Sequence, residues 1–100
     1  YALWNYGETE EAFEHAEEAV RKDERLPHAW YNLGFVVAER GLFEDALDCF
    51  EKAERLGFRS AELFEEKARA LEELGRQDEA DRASERANSI RERQEEELVE

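Results

Sequence analysis

Shifting the chain against itself by 34 residues superimposes Gly7, Gly41 and Gly75, three of its only five glycines. The same shift aligns Ala12 with Ala46 and Ala80, Ala19 with Ala53 and Ala87, and Leu3 with Val37 and Leu71. It also brings together the acidic pairs Glu10-Glu11, Glu44-Asp45 and Asp78-Glu79. Alanines coincide easily in a helical sequence, but glycines this sparse rarely do, so the period belongs to the fold. A repeat of this length is one supersecondary unit that cannot bury its apolar face alone and is stabilised by stacking on its neighbours.

Within the period the apolar residues recur at helical spacing. Trp30, Leu33 and Val37 precede Gly41, and Phe43, Ala46, Leu47, Phe50 and Ala53 follow it, which predicts two amphipathic helices joined at the glycine. Pro27 suits the first turn of the leading helix, where its missing N–H costs nothing. Gly57 suits a left-handed C-terminal position after the second. Ser60 is the expected N-cap of a helix over 61–74, and the last helix is expected from about Asp78 past Ile90 towards Glu97. At the start of the chain, residues 1–6 read as the end of a helix, Gly7 as its turn, and Glu8 or Thr9 to Lys22 as the returning helix. Large residues alternate with small ones: Trp30 and Phe50 need Gly34, Ala46 and Ala53 as receiving surface.

The order Trp30, Leu33-Gly34, Val37, Ala46, Phe50, Ala53 resembles the tetratricopeptide repeat. In the next period Phe64, Ala68 and Leu71 take the places of Trp30, Gly34 and Val37, whereas Lys67 replaces Leu33 and Ser84 replaces Phe50. The resemblance implies an all-α fold, a right-handed superhelical stack of antiparallel helix hairpins. One domain over residues 1–100 is expected, with a partial first repeat at 1–26, a second at 27–60, a third at 61–94 and a C-terminal helical extension or tail at 95–100. The chain opens inside a helical pattern, as a piece of a longer protein would. The thin apolar stripe of the last helix resembles the polar cap of a solenoid.

Charge narrows the partners. The 28 acidic and 14 basic side chains give a formal net charge of −14, dispersed along the whole length. Nucleic acid and anionic membranes are disfavoured, because binding a phosphate surface depends on Lys and Arg. A neutral to basic protein or peptide fits better. Arginine is the preferred cation, and a lysine-poor acidic surface is what salt adaptation produces. There is no apolar run long enough for a membrane span and no signal-peptide pattern, and the single Cys49 cannot form an internal disulfide. A reducing, cytoplasmic setting is therefore expected.

The pattern holds little that could do chemistry. His15 and His28 lack a Cys or paired carboxylate at ligand spacing, so no metal is expected. Cys49 lies mid-helix beside Asp48 with no neighbouring His, which favours a structural thiol over a nucleophile. No glycine loop cradles a phosphate, and the glutamates alternate with arginines on solvated faces. Neither enzyme activity nor a cofactor is expected.

What the tetratricopeptide resemblance implies instead is a peptide-binding groove, lined by the first helix of each repeat. Carried over residue by residue, the groove would contain Tyr1, Trp4 and Asn5, then His28, Tyr31, Asn32, Phe35 and Glu39, then Glu62, Glu65, Glu66, Arg69, Glu72 and Glu73. One half is aromatic and the other acidic. A subset of the family grips acidic chaperone C-termini with Lys, Asn and Arg. Asn32 matches that asparagine, but Glu62 and Glu66 stand where basic residues are needed, so an anionic peptide would be repelled there. The expected function is a non-catalytic protein-interaction module. The alternatives are self-association through Leu3, Trp4 and Tyr6, or a docking segment of a larger protein.

Overall fold

The computed structural model describes the backbone of residues 2–99 and the side chains of residues 10–94. These residues form five helices: α1 (Ala2–Lys22), α2 (Pro27–Glu39), α3 (Phe43–Arg55), α4 (Ala61–Glu73) and α5 (Gln77–Val99). They divide into two compact units, residues 1–58 with α1 to α3 and residues 59–100 with α4 and α5. In the first unit α2 packs against both α1 and α3; in the second α4 packs against α5.

The helices stop where the glycines stand. Gly41 has φ +82°, in the left-handed region that costs any residue with a Cβ. Its N–H donates to the Ala38 carbonyl at 2.9 Å, and the next N–H, of Leu42, donates to Val37 at 3.2 Å. This pair of bonds is a Schellman motif, which satisfies carbonyls the end of α2 would otherwise leave open. The motif recurs after α3, where Gly57 and Phe58 donate to Glu54 and Ala53, and after α4, where Gly75 and Arg76 donate to Glu72 and Leu71.

Helix starts follow local chemistry too. Pro27 occupies the first turn of α2. Ser60 is extended (φ −121°, ψ 157°), and its hydroxyl accepts from the Leu63 N–H at 3.1 Å, capping α4.

Gly7 departs from the expectation. No turn forms there, because α1 is continuous from Ala2 to Lys22. A helix tolerates one internal glycine at a cost of about 1 kcal/mol.

The core of the first unit is built on a contact between α2 and α3. Phe50 is fully buried, and its ring lies over Gly34. A Cβ added at Gly34 would sit 2.6 Å from Phe50 Cε1 and 3.1 Å from Cys49 Cβ, so only glycine leaves room for the ring. Ala46 and Ala53 are also fully buried, on the same stripe of α3. Trp30 behaves differently from Phe50. Its indole is only half-buried, its N–H donates to the Glu24 carbonyl at 2.7 Å, and the Lys52 ammonium lies 5.8 Å from the ring centroid. Between α1 and α2, Arg40 pairs with Glu10 at 2.7 Å and places its guanidinium 4.6 Å from the Phe13 ring centroid.

In the second unit Ala61, Phe64 and Ala87 form a buried cluster with Ile90 packed against it. Ala80 and Ala83 continue the stripe along α5. Alanines line the α5 side of this contact, and Phe64 is the large residue that α4 places against them.

Candidate protein-docking surfaces

His28, Tyr31, Asn32, Phe35 and Glu39 recur at offsets of three and four, which places them on one face of α2. Ala29, Leu33, Gly34 and Val37 are the residues α2 buries. The exposed stripe is not uniform. His28, Asn32, Phe35 and Glu39 are exposed, with Phe35 at 39 %, whereas Tyr31 is half-buried.

Tyr31 is held by other rings. Its centroid lies 5.9 Å from that of Phe50 and 5.1 Å from that of Phe58, the latter in an edge-on arrangement. Phe58 also meets His28, at 4.6 Å. His28, Phe58, Tyr31 and Phe50 thus form a continuous aromatic row from the surface of the first unit into its core. Tyr31 serves as a fixed platform within that row, while Phe35 presents a freer aromatic edge.

Phe58 is the residue that sequence reasoning missed. It lies between helices, where helical periodicity assigns nothing. Its place after Gly57 marks the end of α3, but its ring meets His28 and Tyr31 of α2, residues far from it in sequence.

On α4 the corresponding stripe holds Glu62, Glu65, Glu66 and Arg69. Glu62 and Arg69 are exposed, and Glu65 and Glu66 are half-buried. Glu65 forms an ion pair with Arg91 of α5, so its charge is already matched within the unit. The remaining pair of the expected lining, Glu72 and Glu73, is exposed at the end of α4. Tyr1, Leu3, Trp4, Asn5 and Tyr6 lie outside the residues whose side chains are described.

Cys49 is buried on α3 against the Gly34 position. Burial pushes its thiol from 9.0 up to about 11, and the nearby Asp48 and Asp45 carboxylates add to the shift. The thiol is thus protonated and weakly nucleophilic at neutral pH. Among the described residues no group of three or more His, Cys, Asp or Glu side chains could hold a metal ion, and no helix is long and apolar enough to cross a membrane.

Comparison with known proteins agrees with this architecture. The tetratricopeptide repeat family model matches residues 61–94. A crystal structure of MamA is 22 % identical over 95 % of this chain and 56 % of its own, with a TM-score of 0.81. YrrB, described as a TPR protein with an unusual peptide-binding site, is 28 % identical over 91 % of this chain and 47 % of its own, with a TM-score of 0.78. This chain therefore spans about half the length of these structures. No curated protein matches it in sequence. Residues 61–94 thus match the tetratricopeptide repeat model, and the chain shares the all-α helical-hairpin fold of solved structures that include the TPR protein YrrB.

Proposed function

We propose that the chain is a protein-interaction module whose α2 face docks a neutral or basic peptide or helix. The observation that carries this reading is Phe35, an exposed aromatic ring on the same helical face as the braced row of His28 and Tyr31. A rigid aromatic platform offers contact area at little entropic cost, which is the property of binding hot spots. Asn32 and Glu39 flank Phe35 with groups able to hydrogen-bond a backbone or a lysine.

Charge supports a neutral or basic ligand. The net charge of −14 steers cations towards the protein. The peptide-binding site for which YrrB is described gives the same fold a use of this kind.

The test compares labelled peptides of one apolar pattern carrying lysines, glutamines or glutamates, measured by fluorescence anisotropy against the protein and its Phe35→Ala variant. The lysine peptide should bind best, and the variant should weaken it by about tenfold or more, the loss expected on removing an aromatic hot spot. Affinity for the lysine peptide that Phe35→Ala leaves unchanged would remove α2 from the proposal.

A further inference from the structure

Against the acidic surface, one cleft in the second unit is basic. It encloses about 620 Å³ between the start of α4 and the C-terminal half of α5, and is lined by Arg59, Phe64, Arg86, Ser89, Ile90, Arg93 and Gln94. Three of the eleven arginines of the chain converge there, and among the described residues no carboxylate lines it. Half-buried Ile90 supplies apolar surface, the Phe64 ring lies buried at the base, and Arg86 holds its guanidinium 5.6 Å from the Phe64 ring centroid.

The 34-residue period relates this cleft to the first unit. Phe64 and Arg86 stand one period after Trp30 and Lys52, and both pairs place a cation over an aromatic ring. In the first unit the larger indole is tethered through its N–H to the Glu24 carbonyl. Phenylalanine has neither the second ring nor the donor, so Phe64 lacks the tether that holds Trp30.

We propose that this cleft binds a short acidic peptide segment, with an aliphatic side chain against Ile90 and its carboxylates on Arg59, Arg86 and Arg93. Guanidinium groups match carboxylates in a two-pronged geometry, and one stacked on an aromatic face keeps its N–H edge available. Ser89 and Gln94 add neutral hydrogen-bonding groups beside them. The volume lies within the range of well-formed ligand pockets. A long polyanion such as nucleic acid is a poorer occupant, because its remaining charge would lie against a protein carrying −14. This site is distinct from the α2 face, and its ligand has the opposite charge.

The test uses the full chain and a labelled peptide of Glu and Asp containing one Leu, alongside its Gln and Asn counterpart and a single-stranded oligonucleotide. The variant is Arg59→Gln with Arg93→Gln, two exposed positions at which the helical circular dichroism signal serves as the folding control. The acidic peptide should bind better than its neutral counterpart, weaken with added salt, lose at least about tenfold in the double variant, and be unaffected by Phe35→Ala. Equal binding of the neutral peptide, indifference to the double variant, or tighter binding of the oligonucleotide would each overturn the proposal. Loss of lysine-peptide binding in Phe35→Ala bears only on the α2 face, so the two readings fail separately.

Discussion

At Gly34 a single methyl group is enough to disturb the core. Alanine is the better helix former by about 1 kcal/mol, but forcing a Cβ to within 2.6 Å of the Phe50 ring brings overpacking of about 1–3 kcal/mol. Gly34→Ala should therefore lower the melting temperature, and the penalty should shrink in a Phe50→Leu background, where a double-mutant cycle reads the coupling. A stabilised single variant would show that the ring moves aside freely. Cys49, next to the same contact, gives a second measurement. With its thiol near 11, alkylation of the native protein at pH 8 should be much slower than that of the urea-unfolded chain. The linkage has a definite sign. The folded value lies above the unfolded one, so the contribution of the thiol to stability is fully present below about pH 9 and is lost as pH rises towards 11. Wild type should lose more stability across that window than Cys49→Ala; parallel losses would contradict the assignment.

Helix ends were the most legible elements, because their chemistry is local. Ser60 had only to meet the N–H of Leu63, three residues on, and Gly57 and Gly75 had only to accept a positive φ. Replacing Ser60 by Ala should cost about 0.5–2 kcal/mol, whereas Ser60→Asp should retain most of the stability, as thermal unfolding of the two variants will show. Equal losses would mean that the hydroxyl does not cap α4. Gly7 misled for the complementary reason: a reversal depends on what packs after it, and α1 simply continues. Phe58 and Tyr31 illustrate the same limit in the site. Spacing places Tyr31 on the α2 face, but its ring contacts with Phe50 of α3 and with Phe58 beyond α3 are what fix it, and neither is written in the spacing.

For the molecule as a whole, the 34-residue period and the helical class were readable because both are written in sequence order. The arginine cleft was not, since Arg59, Arg86 and Arg93 become neighbours only when α4 and α5 pair. Net charge also acts at this scale. With 28 acidic side chains against 14 basic ones, self-repulsion opposes compaction, so the melting temperature should rise from low-salt buffer to molar NaCl. An unchanged melting temperature would show that the local ion pairs, such as Arg40 with Glu10, already offset the excess. The fit of Phe50 over Gly34 also constrains how such repeats can diverge. One period later the same two positions hold Ser84 and Ala68, so the ring is gone and the methyl group has arrived. With the ring in place, a Cβ at the glycine position collides with it. A repeat can therefore carry the aromatic ring or the alanine at these two positions, but both together overpack the core.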